Sequence, residues 1–345
     1  MKIMIFSDAW SPQINGVYTT LQNTIKELKM MNHLVEVIQP ECFKYTVKYP
    51  TMKEIHIPLF PEKTIRKYIS LFIDSQGPHA FHIATEGIIG WTARKILLEM
   101  NLLFTTSYHT DFPSYAKKQI GIPKTWTWKY LRNFHNKSAK ILVSTDEISK
   151  ELTKHGFNNI AHWTRGVDHN IFYCPELTDK PYVSTDININ KKILMYGGRL
   201  SKEKNIEDFL NTSFPEFTYI IAGDGPYKKE LEKFGKAKFL GMLSPQKLSD
   251  YMRLASVFVF PSKTDTFGLV MAEAACCGCP VAAYPVKGPI NVIQHGITGW
   301  LDSNLNIAIK NALKLDRKKV AQTAQKQFSW KIATQQFLNN LIPAL

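Results

Sequence analysis

Ile193-Leu194-Met195-Tyr196-Gly197-Gly198-Arg199-Leu200-Ser201-Lys202-Glu203-Lys204-Asn205 opens as a short apolar strand and breaks into a glycine turn that carries Arg199 and Lys204. Cations placed just past the carboxyl end of a strand suit an anion, because a guanidinium can fork two hydrogen bonds to phosphate and an ammonium adds a compact charge. Standing alone, the same loop reads better as a solvated surface turn. What removes it from isolation is a second strand further on, Val257 to Phe260, followed by Asp265-Thr266-Phe267-Gly268-Leu269 at the start of a helix that ends near Gly278. A glycine at a helix entrance allows close approach to the backbone, and the free amides there favour phosphate. Glu273 follows Asp265 by a little over two helical turns, so the two carboxylates fall on roughly one face.

Outward from these loops the chain alternates strand and helix. In the C-terminal half, Tyr219 to Ala222, Lys238 to Leu240 and Val281 to Ala283 read as further strands. In the N-terminal half, the strand Lys2 to Ser7 runs into a turn-rich stretch. A helix follows there, with Val17, Leu21, Ile25 and Leu28 on one face and Asn15 as its cap. Strands at Leu34 to Ile38, Phe81 to Thr85, Leu103 to Tyr108 and Ile141 to Ser144, with helices at Trp91 to Met100 and Glu147 to His155, continue the series. Repeated alternation implies an α/β protein with parallel sheets. The pattern lapses near Tyr173 to Asn190. The expected division is therefore an N-terminal Rossmann-like domain over 1–172, a linker over 173–190 and a second Rossmann-like domain over 191–327. A C-terminal helix over 328–345 could pack back on the N-terminal domain. Two doubly wound domains would face each other across a cleft.

At 345 residues the chain exceeds what one core usually fills, and with 44% hydrophobic and 21% charged residues it has the composition of a folded globular protein. No window is long and apolar enough to span a bilayer, and the first residues lack the features of a secretion signal. The five cysteines are odd in number and scattered, which suits reduced thiols and a cytoplasmic location. Cys276-Cys277-Gly278-Cys279 contains a Cys-x-x-Cys, but without a second pair it reads as structural rather than as a zinc site. The net charge of +14 invites a polyanionic partner. It concentrates locally between Asp111 and Asp146, where Lys117, Lys118, Lys124, Lys129, Arg132, Lys137 and Lys140 interleave with Phe112, Tyr115, Trp126, Trp128, Tyr130 and Phe134. Basic and aromatic residues mixed in this way suit a bilayer interface or single-stranded nucleic acid, or equally a packed helix with a solvated basic edge.

Taken together, the motifs resemble one family, the retaining glycosyltransferases of the GT-B fold, family 4. The resemblance spans nearly the whole chain. It includes Pro12-Gln13-Ile14-Asn15-Gly16-Val17, Ala84-Thr85-Glu86-Gly87, Ser107-Tyr108-His109-Thr110-Asp111-Phe112-Pro113, Arg165-Gly166-Val167-Asp168 and Ala222-Gly223-Asp224-Gly225-Pro226, together with the loops above. It implies transfer of a hexose from a nucleoside-diphosphate sugar such as UDP-glucose or GDP-mannose, without a metal or other cofactor. Donor-binding residues would be Gly16, Arg165, Arg199, Lys204, Phe267, Gly268, Leu269 and Glu273, the last of these holding the ribose. His109, Arg199, Lys204 and Asp265 would carry the catalytic roles, with Asp265 on the transferred sugar where the family more often has Glu.

The absence of any two aspartates spaced two apart agrees with a metal-free site. The branch-level resemblance points to a glycolipid or diacylglycerol-type acceptor. On that reading the tract marked by Lys117, Lys118, Trp126, Trp128, Lys129 and Arg132 docks peripherally on an anionic membrane, and nucleic acid is not a partner. Competing readings are a nucleotide-sugar epimerase, a sugar phosphorylase and a noncatalytic polyanion-binding protein. A glycoside hydrolase would need its two carboxylates flanking the scissile bond, whereas Asp265 and Glu273 are expected on the donor side.

Overall fold

The computed structural model describes residues 1–12, 16–49, 52–109, 112, 113, 116, 121–174, 191–265 and 267–344. It divides into two compact units, Met1–Gly166 with Trp330–Leu345, and Val167–Ser329. Apart from Tyr173 and Cys174, the expected linker lies outside the described residues, as do Asn15, Lys117 and Lys118.

The first unit is built on a six-stranded parallel sheet in the order β2-β1-β5-β6-β7-β8. Its strands are β1 (Lys2–Phe6), β2 (Leu34–Ile38), β5 (His79–Ile83), β6 (Thr105–Ser107), β7 (Lys140–Val143) and β8 (Ile160–His162). An antiparallel hairpin, β3 (Thr46–Tyr49) with β4 (Met52–Pro58), interrupts the alternation and is absent from the sequence reading. Helix Gly16–Met30 buries Leu21, Ile25 and Leu28 as its periodicity requires. The terminal helix Trp330–Asn340 belongs to this unit, where Phe337 packs at 4.8 Å from the ring of Trp163.

The second unit has the order β11-β10-β9-β12-β13-β14. The strands are β9 (Ile193–Gly197), β10 (Thr218–Ala222), β11 (Ala237–Gly241), β12 (Val257–Phe260), β13 (Val281–Ala283) and β14 (Gly299–Leu301). Strands β9, β12 and β13 are buried along their whole length, which explains why they read as unbroken apolar runs rather than alternating ones. In chain order this is the arrangement 3-2-1-4-5-6. The winding reverses between β9 and β12, which pair directly through Leu194 with Val257 and Met195 with Phe258. Ligands of open parallel sheets bind beyond the carboxyl ends of the strands at such a reversal. In the first unit the reversal lies between β1 and β5.

Candidate active site

The two loops singled out in the second unit leave β9 and β12, the strands flanking its reversal point. Topology therefore brings them together although some 60 residues separate them, and Lys204 Nζ donates to Asp265 Oδ1 at 2.6 Å. Thr264 Oγ1 also reaches the carbonyl of Glu203. Both members of the ion pair are about one-fifth exposed. The second carboxylate oxygen of Asp265 is buried with no hydrogen-bond partner among the described residues. An unsatisfied buried acceptor is costly. Here it marks a place for a hydroxyl donor from a ligand.

Arg199 is exposed and its guanidinium makes no hydrogen bond to the described residues, the charge of Glu203 lying within its reach, while its backbone is tightly held. The buried Tyr196 hydroxyl donates to the Arg199 carbonyl, and burial raises the Tyr196 pKa above the ordinary phenol value. Gly198 N bonds the Ala222 carbonyl, Leu200 N the Asp224 carbonyl and Tyr227 N the Leu200 carbonyl. The turn Gly223-Asp224-Gly225-Pro226 is thus the bed on which the Arg199 loop lies. A rigid backbone presenting an exposed cation is prepared for an anion before the anion arrives.

Gly268 caps helix Leu269–Cys276 in the left-handed region, φ 79°, with no side-chain cap. The first amides of an α-helix have no intrahelical acceptor, and here no side chain of the cap takes their place. Phe267 is nearly buried, with its ring edge-on to Phe328 at 5.9 Å. Its side chain is a core residue, so only its main chain is suited to a donor-binding role.

Glu273 lies one turn into the same helix. Its carboxyl has no hydrogen-bond partner among the described residues, and burial pushes its pKa up to about 7 from 4.5. Below pH 4.5 the group is protonated whether the chain is folded or not. Above about 7 it is ionised in both states and the native state bears the cost. Its contribution to stability therefore falls as pH rises through that window. Glu273→Gln is expected to raise Tm at pH 8 relative to wild type and to do so much less at pH 4.5, as read by calorimetry. An equal shift at both pH values would refute the burial argument.

In the first unit, His109 and Arg165 meet although 56 residues apart: Arg165 NH2 is 2.9 Å from His109 Nδ1. Arg165 is 6% exposed, donates to the Trp163 carbonyl and lies 4.8 Å from the Trp163 ring. Burial lowers its pKa to about 10. Gly16 begins its helix exposed, and among the described residues beyond its own neighbours no atom lies within 4 Å of where a Cβ would stand.

Two sequence models cover most of the chain. The one described as glycosyl transferases group 1 matches residues 182–326, and the one described as glycosyltransferase family 4 matches residues 14–171. The chain is a group 1, family 4 glycosyltransferase. It moves a sugar from a nucleotide-sugar donor, and its two α/β units form a GT-B fold. The GDP-mannose-dependent alpha-mannosyltransferase of Corynebacterium glutamicum is 27% identical over 87% of this chain and 76% of its own. The alpha-monoglucosyldiacylglycerol synthase of Acholeplasma laidlawii is 24% identical over 81% and 79%. Among solved structures, Anabaena HepE in complex with UDP and glucose superposes with a TM-score of 0.73 over 98% of both chains at 17% identity, a likeness of fold.

Several residues of the glycosyltransferase escaped the sequence reading. Asp8, at the end of β1, accepts from Ile89 N at 2.8 Å, Thr85 Oγ1 at 2.8 Å and Gly90 N at 3.3 Å, and so caps helix Ile88–Glu99 from a distant segment. Burial raises its pKa even against these donors. His82 is fully buried in β5 and its pKa falls to about 3 through burial. A histidine inside the apolar run Ala80-Phe81-His82-Ile83 was the available signal.

The basic aromatic tract is corrected by its own helix, Lys124–His135. Trp128 is 5% exposed and stacks on His155 at 4.0 Å, whereas Trp126 is 73% exposed. Two positions along a helix are about 200° apart, so the two indoles point in opposite directions. Trp128 is core and drops out of any docking face, and Arg132 is partly engaged with the His155 carbonyl at 3.0 Å. Trp126, Lys129 and Tyr130 remain exposed. The helix run Cys276-Cys277-Gly278-Cys279 is buried, its thiols are free, and no group of three metal-ligating side chains occurs among the described residues.

Proposed function

We propose that the protein is a retaining, metal-independent hexosyltransferase acting on a glycolipid or diacylglycerol-type acceptor. The observation that carries this reading is the meeting of Lys204 and Asp265 where the second sheet reverses, next to the exposed guanidinium loop of Arg199 and the open helix entrance at Gly268. Departure of a nucleoside diphosphate builds negative charge on the β-phosphate. Arg199, Lys204 and the amides of Gly268 and Leu269 supply fixed positive charge for it, the role a metal would otherwise fill. Glu273 takes the ribose hydroxyls. The orphaned oxygen of Asp265 accepts from a hydroxyl of the transferred sugar, with Lys204 holding the other oxygen. No carboxylate is assigned as nucleophile. Retention follows from attack on the face the phosphate leaves, with a phosphate oxygen drawing the acceptor proton.

Incubation of the full chain with UDP-glucose or GDP-mannose and diacylglycerol is expected to release nucleoside diphosphate and an α-glycosylated lipid without added metal. A β-linked product, or complete loss of turnover in EDTA, would sink the corresponding part of the reading. A requirement for added phosphate would favour a phosphorylase.

The lipid acceptor implies contact with a membrane surface, although among the described residues no helix is long and apolar enough to cross one. Exposed Trp126 beside Lys129 and Tyr130 supports peripheral docking on an anionic leaflet. Trp126→Ser is expected to weaken co-sedimentation with anionic vesicles several-fold at unchanged Tm. Trp128→Ser is expected to cost about 3–5 kcal/mol of stability. Vesicle binding indifferent to Trp126 would remove this face from the proposal.

A further inference from the structure

The histidine assigned to the sugar site stands at one end of a continuous chain of polar groups in the first unit. Arg165 NH2 lies 2.9 Å from His109 Nδ1, and His109 Nε2 lies 2.8 Å from Ser107 Oγ. Ser107 Oγ lies 3.2 Å from His82 Nε2, and His82 Nδ1 lies 2.8 Å from Thr105 Oγ1. Thr105 Oγ1 in turn lies 3.4 Å from the Phe81 carbonyl.

The Arg165 end of this chain fixes its first link. A guanidinium can only donate, so His109 Nδ1 must accept and its proton sits on Nε2. Ser107 Oγ then accepts from His109 and has one proton of its own to donate, to His82 Nε2 or to the Ala84 carbonyl at 3.3 Å. In the first case His82 carries its proton on Nδ1 and Thr105 accepts from it while donating to Phe81; in the second His82 donates from Nε2 to Ser107 and accepts at Nδ1 from Thr105. Both arrangements leave His109 with the same tautomer, and both satisfy the fully buried His82.

We propose that Arg165 is a positioning residue for glycosyl transfer: its guanidinium holds His109 as a neutral imidazole with its proton on Nε2, donating to Ser107. The inference rests on the reading of His109 as part of the sugar site. Arg165 then acts through His109 rather than by touching the donor diphosphate. The charges facing His109 agree with it. Burial, then the Arg165 charge, then His82 and His135 all depress the His109 pKa well below 6.5. Glu86 is engaged by His135 Nε2 at 3.1 Å rather than by His109. A ring held in this way cannot serve as an acid at neutral pH, and it keeps one orientation.

Imidazole nitrogen NMR of the wild-type full chain tests the chain without any variant. His109 is expected as the Nε2–H tautomer, and His109 and His82 are both expected to be neutral at pH 7. A protonated His109, or its Nδ1–H tautomer, overturns the proposal.

Kinetics separate positioning from donor contact. Arg165→Met is expected to lower kcat about 10- to 100-fold, the range typical of losing a group that orients an active-site histidine. Donor KM should stay within about twofold, and the acid limb of the kcat profile should move up toward the ordinary histidine value of about 6.5. Arg165→Lys should recover part of both effects, since it returns a donor to Nδ1. A rise in donor KM with an unmoved acid limb would mean that Arg165 binds the diphosphate, and would overturn the proposal. An unchanged kcat in His109→Ala would instead sink the site assignment of His109, whatever the tautomer spectrum shows.

Discussion

Arg199→Ala is expected to lower kcat/KM for the nucleotide-sugar donor by about 10²–10³-fold, or roughly 3–4 kcal/mol of transition-state stabilisation, while leaving Tm unchanged. The two halves of this expectation have separate causes. The guanidinium is exposed and makes no hydrogen bond to the described residues, and the pull of Glu203 on so exposed a charge is weak, so folding does not depend on it. Its backbone, by contrast, is held by Tyr196 from below and by Asp224 from the side, so the charge is presented without reorganisation. Arg199→Lys should recover only part of the loss, because an ammonium cannot make the forked contact. Steady-state kinetics with calorimetry on the same samples check both halves. A variant with full activity would remove Arg199 from the leaving-group side of the reaction, and a large fall in Tm would show that its role is structural.

The largest stability effect is expected at Gly223→Ala. Gly223 has φ 131°, where a side chain is strained whatever the space, and an added Cβ would stand 1.9 Å from the Gly198 carbonyl oxygen. That oxygen is backbone, in the loop that carries Arg199, and it cannot swing away as a flexible side chain could. A loss of about 3 kcal/mol or more is expected from backbone strain and steric overlap together. If the chain still folds, the Arg199 loop is displaced, and donor binding should fall with stability. Thermal unfolding with and without UDP or GDP reads both. A Tm within a degree or two of wild type would mean that the two loops are not packed as described. Comparison with Gly16→Ala supplies the control for stability alone, since among the described residues beyond its own neighbours no atom lies within 4 Å of a Cβ at that position.

The effects differ in kind because the site is made of two sorts of residue. Arg199 and Glu273 act through side chains that fold without strong partners of their own. Gly223 and Gly268 act by letting backbone approach backbone, or ligand, where any side chain would interfere. The sequence distinguishes the two poorly: Gly223-Asp224-Gly225-Pro226 could be any turn until the Arg199 loop is seen lying on it.

Much of the fold was legible because the strands of a doubly wound sheet are buried on both faces. Val257–Phe260 and Val281–Ala283 stand out as short apolar runs, and their observed bounds coincide with the expected ones. Strand β8 was not legible, being only three residues long, partly exposed and at the edge of its sheet. Nor was β14, another three-residue edge strand, which begins at a glycine. The β3–β4 hairpin breaks the alternation with a local antiparallel pair that lies outside the parallel sheet, where Thr46, Val47 and Lys48 are exposed. The docking tract misled for the opposite reason. Its composition was read correctly, but composition does not say which way a side chain points, and one face of the helix turned Trp128 inward.

The sequence by itself determined the α/β class, the family and the residue types of the donor site, because burial periodicity and short loop motifs are local properties of the chain. Only the tertiary structure decided that Lys204 reaches Asp265, that Arg165 reaches His109, and that His82 and Ser107 join them. Those pairings come from strand order, which brings distant loops side by side. Strand order is a choice among whole-chain packings that no local pattern of residues encodes.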